Sequence, residues 1–208
     1  MSGKTFSRSP LHLFAMLALV LAPRTAFAHH ALGGITPRTF AEGFLSGLAH
    51  PVIGLDHLVF VLLAGAYAGL LRQRSAPIAF ILAAIPGCLL CVHGFDLPFS
   101  EKVLAGSLLV AGLLAGATLR LRAALNAALF AACGVLHGYA YGEAIVGSQP
   151  APLAAYLIGF TLIQLAIAGA LAWFVWRATS TGSATLGAQV VRVLAACSAL
   201  AGLFLMLR

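Results

Sequence analysis

The sequence predicts an all-α membrane protein, a compact bundle of six transmembrane helices that follows a cleaved signal peptide. Of the 208 residues, 62% are hydrophobic and only 8% are charged, whereas soluble domains carry about 25% charged residues. Intrinsic disorder is excluded as well, because disordered chains combine low hydrophobicity with high net charge. The net charge of +7 comes from basic residues that mostly lie in short gaps between apolar runs. This pattern indicates membrane topology and not nucleic-acid binding.

Residues 1–28 have the features of a secretory signal peptide. A basic start precedes a mostly apolar stretch at 11–22, and Ala26-Phe27-Ala28 fits the A-x-A cleavage pattern. The apolar stretch is shorter than the roughly 20 residues that span a bilayer. We therefore expect cleavage after Ala28, which leaves one domain of residues 29–208 that begins outside the cytoplasm. An uncleaved first helix is the alternative.

Six apolar stretches after the signal have the length of membrane spans. They predict transmembrane helices at 51–71, 76–95, 102–119, 123–146, 152–176 and 187–206.

The gaps between these stretches carry the orientation signal. Arginines lie in the first, third and fifth gaps, whereas the fourth gap has no charge and the second holds two acids and one lysine. The positive-inside rule places the arginine gaps in the cytoplasm. We expect a protein of the bacterial inner membrane with both mature termini in the periplasm. The arginines are Arg72, Arg74, Arg120, Arg122 and Arg177.

Glycines recur at four-residue spacing, which lets membrane helices approach closely. The pattern predicts helix packing and carries no indication of chemistry. The sets are Gly43/Gly47, Gly65/Gly69, Gly112/Gly116 and Gly134/Gly138/Gly142.

Ionisable residues inside membrane spans are costly, and they are functional candidates by default. The first span opens with the run His50-Pro51-Val52-Ile53-Gly54-Leu55-Asp56-His57. Pro51 suits a first helical turn, so we expect His50 to precede the helix and to bend over its mouth. Asp56 and His57 lie about 100° apart on a helix, so both can flank one inward-facing pocket.

The fourth and second spans add further polar residues. His137 and Tyr141 lie one helical turn apart on one face, whereas Glu143 reaches the same pocket only if the helix is distorted. His93 ends the second span. The pair Cys88-x-x-Cys91 resembles a metal half-site, but small apolar packing is the favoured interpretation.

Under the predicted topology, every histidine and acid of the mature chain lies on the extracytoplasmic side. Imidazole and carboxylate ligands suit Ni²⁺, Co²⁺ and Zn²⁺, whereas Mg²⁺ and Ca²⁺ prefer all-oxygen sites. The sequence therefore predicts a site for a divalent metal ion, with no tightly bound cofactor. Its expected members are His50, Asp56, His57 and His137, with Glu143 and His93 as additional candidates.

Cleavage after Ala28 would also create a second metal-binding group, because His29 and His30 would begin the mature chain. The new α-amine, an amide nitrogen and the imidazole of His30 could chelate Ni²⁺ in a square-planar arrangement. His29 offers a second mode through the same amine. We expect this terminus to capture the ion and to pass it on to the site downstream.

The motif His50-x5-Asp56-His57, together with His137-Gly138-Tyr139-Ala140 in the fourth span, resembles the HupE/UreJ family. These are small membrane proteins encoded with hydrogenase and urease systems and regarded as nickel or cobalt permeases. The resemblance covers the whole mature chain, and the first motif matches fully. It implies that His50, Asp56, His57 and His137 are functional residues.

The second motif departs from a common family form, which reads Phe-His-Gly-x-Ala-His-Gly-x-Glu. Leu136 replaces the phenylalanine and Tyr141 replaces the second histidine. Glu143 follows Gly142 directly, with no residue between them. Because Tyr141 offers a phenol in place of an imidazole, the metal preference of the site is expected to differ from that of the common family form.

The leading hypothesis is a secondary permease, not an enzyme, that imports nickel or cobalt from periplasm to cytoplasm. An intramembrane zinc-dependent hydrolase is the alternative from another class, because three histidines and an aspartate could hold a catalytic zinc. A metal-binding accessory protein without transport is the third. The expected partners are a divalent metal ion and the lipid bilayer, with a second copy or metal-centre maturation proteins as further candidates.

Overall fold

The computed structural model describes residues 35–208 of the chain, and this part is all-helical, as predicted. The expected signal peptide, His29 and His30 lie outside the described residues. The seven helices of residues 35–208 are α1 (Phe40–Ile53), α2 (Leu55–Leu71), α3 (Ser75–Val92), α4 (Ser100–Gly116), α5 (Ala123–Glu143), α6 (Pro150–Ser180) and α7 (Ala184–Leu207).

The predicted count of six membrane spans is not confirmed. Helices α3, α5, α6 and α7 are each long and apolar enough to cross a membrane. Helices α1 and α2 together form a fifth candidate, a broken span bent by 78°. Helix α4 has 17 residues and is about 25 Å long, whereas the hydrocarbon core is about 30 Å thick. The described residues thus provide four to five candidate spans.

Helix α1 begins at a capping box that the apolar pattern did not reveal. The backbone N–H of Glu42 donates to Thr39 Oγ1 at 3.2 Å, and the N–H of Thr39 donates to Glu42 Oε2 at 3.1 Å. This reciprocal pair satisfies two donors that a helix start leaves without partners. The run Thr-x-x-Glu is the sequence signal that identifies this helix.

The break in the first predicted span falls at Gly54, not before Pro51. Pro51 lies inside α1, and Gly54 has an extended backbone with φ −75° and ψ 100°. The prediction that His50 precedes the helix is therefore wrong, since His50 occupies the last turn of α1. Proline removes only one helical hydrogen bond, and α1 ends two residues after it, at Ile53. The helix is also held by its close packing against α6 at Gly43 and Gly47.

Glycines bring four pairs of helices into backbone contact, which confirms that the glycine spacing serves packing. A methyl group at Gly43 of α1 would lie 2.2 Å from an α6 carbonyl oxygen, and one at Gly65 of α2 would lie 2.5 Å from another. A methyl group at Gly134 of α5 would lie 2.2 Å from a carbonyl oxygen of α3, and one at Gly112 of α4 would lie 2.6 Å from a carbonyl oxygen of α7. Larger residues would force these helices apart.

The three arginine-bearing gaps lie at one end of the bundle, which we call the arginine end. The side-chain amide of Gln73, in the first gap, donates to Leu121 O in the third gap at 3.2 Å. The guanidinium of Arg72 donates to Ser180 Oγ at the end of α6 at 3.1 Å. The gaps that the positive-inside rule groups together are thus neighbours in the structure.

Candidate metal-ion site

A buried group of aromatic polar side chains lies where α1 ends and α2 begins, towards the end of the bundle opposite the arginine end. We call it the histidine cluster, and each member is at most 2% exposed. The ring centroids of His50 and His57 are 5.5 Å apart, and those of His57 and His137 are 5.2 Å apart. The members are His50 of α1, His57 of α2, His137 and Tyr141 of α5, and Tyr156 of α6.

The break at Gly54 is what brings His50 and His57 together. The two histidines belong to different helices, and the 78° bend directs both rings into the same interior space. A methyl group at Gly54 would lie 2.6 Å from His57 Cδ2 and 3.3 Å from Asp56 Oδ1. The side chains of Asp56 and His57 therefore fold back over a position that only glycine can occupy without displacing them.

Tyr156 orients His50. Its hydroxyl donates to Tyr141 O at 2.8 Å and lies 3.0 Å from His50 Nδ1. Since the hydroxyl has a single hydrogen, His50 Nδ1–H is the donor to the Tyr156 oxygen. A neutral His50 imidazole then carries its lone pair on Nε2.

A second chain of hydrogen bonds orients His57 through His137. The Ser107 hydroxyl donates to Leu104 O at 2.7 Å and lies 3.2 Å from His137 Nε2. With the serine hydrogen used in that way, His137 Nε2–H donates to Ser107 Oγ. The Nδ1 atoms of His57 and His137 are 3.0 Å apart, so His57 donates to His137. The lone pair of a neutral His57 then lies on Nε2.

Asp56 supplies negative charge beside the cluster. It lies in the first turn of α2, where the helix dipole stabilises a carboxylate. Its side chain is half-buried, and it directly precedes His57 in the chain.

The donor atoms of this region suit a borderline divalent cation. Lone pairs on His50 Nε2 and His57 Nε2 and the carboxylate of Asp56 combine nitrogen and oxygen ligands, and the hydrogen bonds on Nδ1 are of the kind that orient metal-bound imidazoles. Within residues 35–208, no three histidine, cysteine, aspartate or glutamate side chains are arranged to hold one ion together.

Two sequence candidates, His93 and Glu143, are exposed, unlike the buried members of the cluster. His93 is exposed at the end of α3, and its Nδ1 bonds to the carbonyl of Leu89 in its own helix at 2.7 Å. Glu143 is the last residue of α5 and is exposed, although its neighbours Tyr141 and Gly142 are buried. The structure thus brings His50, His57 and His137 together in the cluster.

Three residues of the hydrogen-bond network around the histidine cluster were not predicted from the sequence. Ser107 is hydrogen-bonded to His137, and Tyr156 is hydrogen-bonded to His50. Gln164 accepts a hydrogen bond from the Tyr141 hydroxyl at 3.3 Å. Gln164 is fully buried in α6, and a lone amide within the apolar stretch 152–176 was the signal that could have identified it. Serine and tyrosine are too common in membrane helices to give such a signal.

A helical bundle of apolar spans with a buried histidine cluster beside a carboxylate defines a membrane protein with an internal polar site, a feature of transporters and intramembrane enzymes. The family comparison makes this more specific. The profile of the HupE / UreJ protein family matches residues 17–205, so the chain belongs to the HupE/UreJ family. The resemblance inferred from the motifs is therefore confirmed.

A curated relative supports the same assignment. Protein HupE of Rhizobium leguminosarum bv. viciae is 30% identical over 129 residues, which make up 61% of this chain and 64% of that protein. The chain thus aligns with just under two thirds of the relative's length. No solved structure matches the chain.

Proposed function

We propose that this protein is a permease that imports nickel, or cobalt, and that His50, Asp56, His57 and His137 form its transport site. The observation that carries the proposal is that three imidazoles from three different helices meet in one buried cluster. Buried polar side chains in a membrane protein are expensive, so such a cluster points to the path of a polar substrate.

The chemistry of the cluster favours a transition-metal cation as the substrate. Imidazole nitrogen binds nickel, cobalt and zinc well, whereas magnesium and calcium prefer oxygen ligands. Asp56 adds one negative charge, which offsets part of the ion's charge in an apolar interior. His50 and His57 are the ligands we propose for first contact, because their ring centroids lie 5.5 Å apart on either side of the break between α1 and α2.

The broken helix gives the site a means of rearrangement. Transporter sites often lie at discontinuous helices, where the break exposes helix ends to the ion. Here the ion would draw the rings of His50 and His57 closer together, and Gly54 would absorb the change in angle between α1 and α2. His29 and His30 remain predictions from the sequence, as does the direction of transport.

Uptake of radioactive nickel into proteoliposomes tests the proposed function. We expect time-dependent, saturable accumulation, competition by cobalt and none by excess magnesium, with protein-free vesicles as the control. A nickel-sensitive dye inside the vesicles distinguishes transport from surface binding. Nickel that stays bound to the protein and never reaches the dye would contradict the permease and favour an accessory protein. Absence of both binding and uptake would contradict the site itself.

Gly54→Ala is expected to reduce nickel uptake by roughly tenfold to a hundredfold, a typical cost of misplacing binding groups by about 1 Å. The added methyl group would lie 2.6 Å from His57 Cδ2, so the ring has to leave its position beside His137. Initial uptake rates at matched protein content measure the effect.

Gly106→Ala is the matched control, because a methyl group there meets no atom of residues 35–208 within 4 Å. It is expected to retain wild-type uptake. Equal rates in the two variants would show that the close approach at Gly54 does not position the transport site.

A further inference from the structure

A cavity at the arginine end of the bundle is separate from the histidine cluster. It has a volume of about 460 Å³ and lies between the end of α2, the start of α3 and the last part of α6. Its walls combine two arginines with large apolar side chains, and we call it the arginine groove. Its principal lining residues are Arg72, Arg74, Ile78, Leu165, Trp173 and Trp176.

We propose that the arginine groove binds an anionic phospholipid, with the phosphate at the two arginines and an acyl chain along α6. Basic pockets between membrane helices recognise anionic lipid headgroups. Arg72 and Arg74 are both exposed, and a guanidinium can bind phosphate with two parallel hydrogen bonds. One Arg72 nitrogen is held by Ser180, which fixes the side chain near the groove.

Charge complementarity supports an anionic occupant. The chain has five acidic residues in all, and none of them lines the groove. The two positive charges there are therefore not offset by a carboxylate in the wall. The five acids are Glu42, Asp56, Asp96, Glu101 and Glu143.

The apolar part of the groove fits a lipid and not a free ion. Ile78, Leu165 and Trp173 are 46%, 43% and 61% exposed, so they face the membrane around the cavity. Trp173 and Trp176 lie near the end of α6, beside the arginines. Tryptophan is enriched at this level of membrane proteins, where its ring is apolar and its N–H meets the headgroups.

The two tryptophans of the chain are both in the groove, so tryptophan fluorescence reports directly on its occupant. The full chain is reconstituted in phosphatidylcholine vesicles, and the lipid is replaced stepwise by phosphatidylglycerol or phosphatidylcholine with brominated acyl chains, which quench tryptophan on contact. We expect brominated phosphatidylglycerol to quench at about thirtyfold lower mole fraction, given the contribution of each of the two arginines to anionic-lipid binding. Equal quenching by the two lipids would overturn the proposal.

Variants separate the groove from the general attraction of a basic membrane surface. R72Q/R74Q should lose the preference for the anionic lipid. R120Q/R122Q removes as many charges from the neighbouring arginine gap and should keep it. Loss of the preference in both double variants, or in neither, would contradict a specific site.

Two further measurements address a double variant that does not fold and a free anion as the occupant of the groove. If R72Q/R74Q does not fold, R74Q takes its place, because it leaves the bond between Arg72 and Ser180 intact. R74Q should lower the preference about fivefold. An unchanged preference in R74Q would count against the proposal. Millimolar inorganic phosphate should not relieve the quenching by brominated phosphatidylglycerol. Relief would identify a free-anion site and overturn the lipid.

Discussion

Asp56→Asn is expected to reduce nickel uptake to the level of protein-free vesicles. The substitution keeps the size of the side chain and removes the negative charge beside the histidine cluster. A divalent cation that leaves water for an apolar interior needs charge compensation, and imidazole ligands, which bind metal ions in their neutral form, supply none. Asp56→Ala should give the same result, and initial rates of radioactive nickel uptake measure both.

Glu101→Gln is the control for the loss of a negative charge. Glu101 is exposed in the first turn of α4 and makes no contact with the cluster members that the structure records. Its variant should therefore transport at the wild-type rate. Far-UV circular dichroism and monodispersity in detergent establish that each variant is folded. Wild-type uptake in Asp56→Asn at matched protein content would remove Asp56 from the transport site.

The helical membrane class could be predicted from composition, because few charges and long apolar runs leave no other class open. The number of spans could not. Apolar length alone treats 51–71 as one unit, whereas the structure bends it by 78° at Gly54. The bend depends on α1 packing against α6, which includes the close approach of Gly43 to Pro152 O. Sequence patterns do not encode such a long-range contact.

The membership of the cluster was predicted better than its geometry. Histidines in apolar spans are costly enough to be recognised one by one, and His50, His57 and His137 do meet. How they meet depends on Tyr156 and Ser107, which lie in helices that carry no histidine. Their hydroxyls determine which ring nitrogen of His50 and His137 donates, and this depends on tertiary structure alone.

The arginine pattern illustrates a prediction that tertiary structure supports only in part. Hydrogen bonds from Gln73 to Leu121 and from Arg72 to Ser180 place the three gaps together, as the positive-inside rule requires.

The side of the membrane that the three arginine gaps face stays a prediction. A cysteine at Arg122, probed with a membrane-impermeant thiol reagent in intact cells, tests it, and we expect no labelling until the membrane is opened.

Gly138→Ala is expected to destabilise the fold by about 3 kcal/mol or more, at the upper end of the range for overpacked positions. The added methyl group would lie 2.1 Å from Ala84 O and 2.6 Å from Ala84 Cα. These are backbone atoms of α3, so no side chain can move aside, and α3 and α5 have to separate. Because His137 is the adjacent residue, the separation would also disturb its bond to His57.

Thermal unfolding in detergent, followed by circular dichroism, measures the loss, and Gly106→Ala supplies the comparison. Gly106 also lies inside a helix, but a methyl group there meets nothing within 4 Å in the described part of the chain. Its variant should therefore stay within about 1 kcal/mol of the wild type. A Gly138→Ala protein that unfolds at the wild-type temperature would show that α3 and α5 are not in backbone contact. In that case the position of His137 beside His57 would lose its structural basis.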